Sequence, residues 1–465
     1  MEFDNTEKVM IKNVYKATLI LALMLAGTVQ AAEWKDLFNG KDLSGWEQVN
    51  GTARYEVEGD ALVGYTVLDS PNSFLATKED YSDFILEYDM YVDPAMNSGV
   101  QIRSHQKDGD GIVFGYQIEV DPTHRRFTGG FYDEKRRRWM YPLSLNEKGR
   151  EAFENGKWNH FRVEAIGNTF QVWVNGIQTS AVIDEMDAEG FIALQVHSIK
   201  DASQEGRTVR WRNLRILTDD LEANRTRRDP EVTELNFLNN QLSDYEVRQG
   251  WRLLWDGKTS EGWRGAKLDG FPESGWTMED GVLTVEATDG GESTGPGDIV
   301  TIDKFSNFEF KFDFRITEGA NSGIKYFADP ELNKGAGSAI GCEFQILDDK
   351  VHPDAKEGVN GNRTLGSLYD LITAENLSTK GRAKQFKGIG QWNQGRIVSH
   401  NGKVEHWLNG EKVVEFDRHS QMFRALVAYS KYLKWPGFCQ WPEGSLLLQD
   451  HGNEVDYRNL KVREC

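Results

Sequence analysis

The chain repeats itself, and no other feature narrows its fold as far. Phe38-Asn39-Gly40-Lys41 ending at Gly45-Trp46 recurs as Trp255-Asp256-Gly257-Lys258 ending at Gly262-Trp263. Asn97-Ser98-Gly99-Val100 recurs as Asn321-Ser322-Gly323-Ile324, Tyr116-Gln117-Ile118 as Phe344-Gln345-Ile346, and Gly130-Phe131-Tyr132-Asp133 resembles Ser367-Leu368-Tyr369-Asp370. Trp158-Asn159 through Trp173-Val174-Asn175-Gly176 matches Trp392-Asn393 through Trp407-Leu408-Asn409-Gly410 without a gap. Leu194-Gln195-Val196-His197 and Arg212-Asn213-Leu214 return as Leu448-Gln449-Asp450-His451 and Arg458-Asn459-Leu460, which makes seven blocks in one order. Ordered self-similarity on this scale means two copies of one structural unit. The length of 465 residues agrees, since domains run to roughly 100 to 200 residues.

Within the blocks the hydrophobic period is two. Phe308-Glu309-Phe310-Lys311-Phe312-Asp313-Phe314-Arg315 alternates throughout, and Phe84 to Tyr91 largely does so. Such alternation marks half-buried strands. Asn175-Gly176 and Asn409-Gly410 sit between apolar runs, where an Asn-Gly pair supplies the positive φ of a tight hairpin. Many strands, abundant turns and almost no helical pattern predict an all-β chain of two tandem jelly-roll sandwiches. The predicted domains are residues 33–218 and 251–465. The segment 219–250 between them is charged and polar, with Arg225, Arg227 and Arg228 ahead of Pro230, and it reads as a solvated linker. Ser243 followed three residues later by Glu246 is a capping box that starts one short helix in it.

At the N-terminus, Lys8, Lys12 and Lys16 precede an apolar run from Ala17 to Gly27 and the small-residue stretch Val29-Gln30-Ala31-Ala32. That layout predicts a cleaved export signal over residues 1–32, no transmembrane span in the mature chain, and a periplasmic or secreted protein. The formal charge of −19 excludes nucleic acid as a partner, because phosphate-backbone binding needs a basic footprint. A neutral carbohydrate or glycoside meets no such barrier. Cys342, Cys439 and Cys465 are too few and scattered for a disulfide framework or a metal knuckle, although one bridge is compatible with them.

Residues two apart on a strand share a face, so polar residues at that spacing mark a cleft wall. In the second copy these are Glu343 with Gln345 and Gln449 with His451, together with Lys325 after the Asn321-Ser322-Gly323 bend. In the first they are Gln117 with Glu119, Gln195 with His197, and Gln101 with Arg103. Carboxylate, imidazole, amide and cation on one sheet provide the paired donors and acceptors that sugar hydroxyls require. Tyr132, Trp139, Tyr369 and Trp435 are rings that could stack on a pyranose, whereas Trp46, Trp263, Trp158 and Trp392 read as core. No cofactor is firmly implied. Asp121, Asp348 and Asp349 are the residues a divalent metal would use, without a three-ligand spacing to support one. Serine-hydrolase elbows, phosphate loops, zinc helices and dinucleotide fingerprints are absent, as are the closely spaced strand glutamates of a jelly-roll glucanase.

The motifs at Phe38–Lys41, Asn321–Gly323, Glu343–Asp349, His406–Gly410 and Leu448–Gly452 together resemble the 3-keto-disaccharide hydrolase domain, present twice and covering nearly the whole mature chain. The resemblance implies a concanavalin A-like jelly roll and cleavage of glycosides whose C3 hydroxyl is oxidised to a ketone. It implies that His451, Glu343 and Lys325 are catalytic, and it adds Asp348, Tyr369 and His406 to the substrate contacts. Because the ketone acidifies the proton on C2, cleavage would proceed by proton removal, elimination of the aglycone and hydration. His451 or Glu343 would be the base or the acid, with Lys325 and Gln345 on the carbonyl and hydroxyls. The first copy departs from this pattern: Gly115 stands at the place of Glu343, Val172 at His406 and Val196 at Asp450, with Glu119 as a substitute acid. A non-catalytic sugar-binding module and a conventional glycoside hydrolase are the rival readings.

Overall fold

The structure is a computed structural model that describes residues 32–94, 96–288, 291–292, 297–335 and 337–465. The expected export signal lies outside the described residues. Each copy is a sandwich of two sheets. In the first, one sheet runs 235–236, 177–183, 169–174, 159–166, 84–92, 208–217, 61–65, 54–58. The other runs 138–141, 131–134, 113–120, 98–106, 190–196, 73–81, 46–49. The second copy stacks 276–279, 282–285, 455–464, 308–316, 393–400, 403–408, 411–417 on the order 263–265, 299–301, 445–448, 321–329, 340–347. Seven neighbouring strands of the larger sheet and five of the smaller thus keep the same order in both copies.

The alternating strands build the cores directly. Phe308, Phe310, Phe312 and Phe314 all bury against Ile324, Phe344 and Leu448 of the facing sheet, and Leu86, Tyr88 and Met90 meet Val100, Ile118 and Leu194 in the first copy. Each such side chain stabilises by on the order of 2 kcal/mol. Small polar details repeat as well. Trp46 Nε1 donates to Leu37 O at 2.8 Å and Trp263 Nε1 to Leu254 O at 2.7 Å. At the hairpins, Asn175 and Asn409 hold φ of 49° and 48°, and each donates to the side chain of Asn159 or Asn393 at 2.8 Å. Trp158 and Trp392 are not core residues. They lie half-exposed beneath Arg212 and Arg458, at 4.2 and 4.1 Å from ring centre to guanidinium, a cation–π pair that uses the ring face at the surface.

Besides strands 131–134 and 138–141, which only the first copy adds to its smaller sheet, two features break the symmetry. Between strands 177–183 and 190–196 the first copy needs only residues 184–189. The second inserts 418–444 at that point, carrying the helix Gln421–Ala428 and the 3-10 turn Lys431–Lys434. A disulfide, Cys342–Cys439, fastens this insertion to strand 340–347. The expected free linker is instead docked. Leu235–Asn236 pairs in parallel with Val182–Ile183, and the capping box at Ser243 and Glu246 forms. Buried Glu246 accepts a hydrogen bond from Lys461 at 2.9 Å, and Arg228 stacks 3.8 Å from Tyr245. Burial of one acid against a lysine of the second sandwich turns a charged run into a seam.

Candidate active site

The cleft sits on the outer face of the five-stranded sheet. In strand 321–329 the side chains of Ile324 and Tyr326 enter the core, so Asn321, Gly323 and Lys325 face outward. In strand 340–347 Cys342, Phe344 and Ile346 are core, so Glu343 and Gln345 face outward beside them. The register sets Lys325 opposite Glu343 and Gly323 opposite Gln345. Gly323 is the floor: a Cβ there would lie 2.2 Å from Glu343 Oε1. Lys325 Nζ is 3.8 Å from Glu343 and 3.9 Å from Glu292, and it donates to Ala339 O at 3.1 Å and to Ser338 Oγ.

Burial pushes the Glu343 carboxyl up to about 7, against the opposing pull of Lys325 and Lys431. Glu292 is also desolvated, yet Lys325, His451 and Lys431 together hold it below the usual carboxylate range. Two carboxyls in one cleft are therefore driven apart, one ionised and one poised near neutrality. The Gln345 amide lies between Glu343 and Asn321. Turned one way it donates to Asn321 Oδ1 at 3.2 Å; turned the other it donates to Glu343 Oε1 at 3.2 Å and to Ser322 O at 3.1 Å. Asn321 Nδ2 is in turn 3.3 Å from His451 Nε2, so two amides connect the imidazole to the carboxyl. The insertion closes one side. Lys431 Nζ stands 4.4 Å above the Tyr369 ring, whose hydroxyl donates to Asp354 Oδ2 at 2.8 Å, and desolvation lowers the Lys431 pKa.

Of the predicted second-copy residues, His451, Glu343, Lys325, Gln345, Tyr369 and Gln449 line one cavity of about 160 Å³, with Trp435 on its wall. Two do not. His406 is wholly buried between the sheets, with Nε2 on Tyr326 Oη at 2.8 Å and Nδ1 on Gly366 O at 2.9 Å, and burial depresses its pKa to about 4. Asp348 caps turns, accepting from the backbone N–H of Gly319 at 3.0 Å and of Lys350 at 3.1 Å. Glu292, Lys431 and Tyr432 line the cleft without having been predicted, because they sit in segments without period. The insertion that bears Lys431-Tyr432 and Trp435 was detectable as residues of the second copy with no partner in the first. Among the described residues no group of three or more His, Cys, Asp or Glu is arranged to hold a metal ion.

In the first copy the structure corrects the repeat alignment by two residues. Gln101 opposes Gln117 just as Lys325 opposes Glu343. The Glu119 N–H donates to Gly130 O at 3.0 Å just as the Gln345 N–H donates to Ser367 O at 3.1 Å. Gln117 therefore occupies the place of Glu343, and Glu119 that of Gln345; Gly115 does not correspond to Glu343. A slip of two keeps every side chain on its face, so matching the shared glutamines in sequence gave no sign of it. Gln101 donates to Gln117 at 2.7 Å, Gln117 to Glu119 at 2.6 Å and Asn97 to Glu119 at 2.7 Å, and burial raises Glu119 to about 7. Arg103 is not on this face. A bulge after Ile102, with Arg103 at φ 42°, turns its guanidinium inward onto Ser82 O, Gly167 O and Asp83. Gln195 and His197 continue the neighbouring strand, with His197 Nδ1 2.7 Å from Ser198 O, and Tyr132 packs edge-on to Trp139.

A family model described as a 3-keto-alpha-glucoside-1,2-lyase-like domain matches residues 33–217 and again 250–463. A protein of Bacteroides thetaiotaomicron named 3-keto-disaccharide hydrolase is 36% identical over 234 residues, 46% of this chain and 78% of its own length. Among solved structures, two from Parabacteroides distasonis, each titled a candidate glycosyl hydrolase, cover 49% and 46% of this chain and 99% of their own. Their identities are 32% and 25%, with TM-scores of 0.42 and 0.35. The chain therefore belongs to the 3-keto-alpha-glucoside-1,2-lyase-like domain family and carries that domain twice in tandem.

Proposed function

We propose that the second domain cleaves the glycosidic bond of 3-keto-glycosides or 3-keto-disaccharides by elimination and hydration. The observation that carries this reading is one cavity in which a buried carboxyl poised near neutrality, an ammonium and an imidazole converge. In the first step ionised Glu343 takes the proton from C2, and the C–H electron pair delocalises onto the C3 oxygen. Lys325 is the cation that stabilises this developing enolate, an interaction that strengthens as charge builds. The enolate then expels the aglycone oxygen from C1 with its bonding pair, and His451 supplies the proton that oxygen needs. Water finally adds its hydroxyl to C1 and a solvent proton to C2, while Glu343 gives its proton to solvent and His451 regains one, so the net reaction is hydrolysis. Gln345 and Gln449 hold hydroxyls, with Tyr369 and Trp435 along the ring.

The same reading places the mature protein in the periplasm or outside the cell. The basic, apolar and small-residue order of residues 1–32 supports export, and a disulfide between Cys342 and Cys439 fits an oxidising compartment. No helix among the described residues is long and apolar enough to cross a membrane. The test offers methyl 3-keto-α-glucoside and its unoxidised parent to the full chain. Methanol release from the ketone alone, slowed by roughly 10²-fold or more in Lys325→Ala and His451→Ala, is the expected result. Equal release from the unoxidised parent would assign a conventional glycoside hydrolase, and binding without release would assign a sugar-binding module.

A further inference from the structure

We propose that the first domain holds a second sugar site, built on Gln195, Asn97 and His197, which takes a neutral hydroxyl-bearing ring and does not turn it over. The starting point is an oxygen that recurs. Gln195 and Gln449 occupy one position in the repeat, since Ser98 Oγ donates to Gln195 O at 2.7 Å and Ser322 Oγ to Gln449 O at 2.7 Å. Both side chains are almost wholly buried, at 1% and 3% exposure, and in both the amide oxygen has no hydrogen-bond partner. Across Gly99 from Gln195 lies Glu119, and beside it Asn97, at the position of Asn321. Asn97 spends its NH2 on Glu119 at 2.7 Å, which fixes the amide, and its Oδ1 is likewise buried and unpartnered.

A buried acceptor without a donor costs about 1–3 kcal/mol. Two such acceptors in one polar patch, one of them repeated at the same strand position in the sister cleft, favour a ligand that brings donors. Ring hydroxyls do so. An anion does not, because Glu119 and Glu134 both stand near Tyr132 at this face, and neither does anything that must strip protons from the site. His197, Tyr132 and Asn72 are each partly exposed in this domain, Tyr132 directly opposite Gln117.

The groups that would carry out proton transfer have changed. Where the second domain has Lys325 opposite Glu343, the first has the amides Gln101 and Gln117 bonded to each other. Its one central acid, Glu119, has both oxygens engaged by amide donors, from Asn97 and Gln117. Among the described residues no counterpart of the Lys431 insertion lies between strands 177–183 and 190–196. Hydroxyl-binding groups survive and charge-stabilising groups do not, a combination that binds ground state and transition state alike and so gives affinity without rate.

This inference rests on the proposed function only for the class of ligand. The test uses the full chain carrying Glu343→Gln, so that the ligand is not consumed, titrated with methyl 3-keto-α-glucoside by calorimetry and by saturation-transfer NMR. Two equivalents bound per chain are expected, falling to one when Gln195→Leu is added, with the lost event weakened at least tenfold. His197→Ala, on the partly exposed rim, should weaken the same event in a chain whose melting is unchanged, which covers the case in which Gln195→Leu fails to fold. One equivalent that neither variant moves would overturn this inference and leave the proposed function standing. One equivalent that Gln195→Leu abolishes would support it while contradicting a sugar site in the second domain. No binding at all would overturn both.

Discussion

The two clefts share a frame and differ in where they keep charge. Along the second runs Asn321, Gln345, Glu343, Lys325; along the first, at the same register, Asn97, Glu119, Gln117, Gln101. The acid and the amide have exchanged places, and the ammonium has become a third amide. Each acid is pushed up to about 7 by burial, so a shifted pKa alone does not set one cleft apart from the other. What distinguishes them is the partner: Glu343 faces a lysine 3.8 Å away, and Glu119 faces two amide donors. A base needs a free lone pair directed at substrate and a cation to receive the charge it creates. Only the second arrangement offers both.

The sharpest way to break the comparison is to convert one cleft into the other. The double change Glu343→Gln with Gln345→Glu writes the order of the first domain into the second, and kcat on a 3-keto-glucoside should fall by roughly 10² to 10⁴-fold, the worth of a positioned general base. Lys325→Met comes next. Removing the cation should cost roughly 10²-fold, as loss of one donor at a developing charge does. Because Lys325 holds the Glu343 pKa down, its removal raises that pKa. In the wild type the rate should fall as pH drops below about 7, where Glu343 takes up a proton, and in Lys325→Met this acid limb should move to higher pH. An unmoved limb would detach the lysine from the base.

A smaller effect separates the lid from the chemistry. The insertion 418–444 exists only in the second domain, and Cys439→Ser frees its anchor on strand 340–347. KM should rise several-fold while kcat changes little, and a bridge closing so long a loop typically contributes about 2–4 kcal/mol to stability. The smallest effect on activity belongs to His406→Val, which installs the residue the first domain has at Val172. Melting temperature should drop, because Tyr326 loses a buried partner at about 1–3 kcal/mol, while kcat/KM stays where it was.

That histidine illustrates how much could be read in advance. The fold was legible because alternation and repeated Asn-Gly turns are properties of the chain itself: Phe308 to Phe314 can serve only a two-sheet core. Six of the eight second-copy residues predicted for the site converge in its cavity; period two placed Lys325, Glu343 and Gln345, whereas Tyr369 lies in a turn. His406 lies at even spacing from Val404 and Leu408, both core, so its inward direction was already written in the strand and was outweighed by its chemistry. Arg103 could not be placed in this way, since a bulge reverses the alternation after Ile102 and nothing in the local sequence announces it. Glu292 and Lys431 come from loops, where no period says which way a side chain turns.

The account depends on proton transfer at C2 within the second cleft, and solvent deuterium reads that step directly. Methyl 3-keto-α-glucoside turned over by the full chain in D2O should yield 3-keto-glucose carrying one deuterium at C2, and in Glu343→Gln both product formation and labelling should fall together by at least 10²-fold, as loss of a general base requires. Product that forms at the wild-type rate without deuterium at C2, or labelling that persists undiminished in Glu343→Gln, would contradict it.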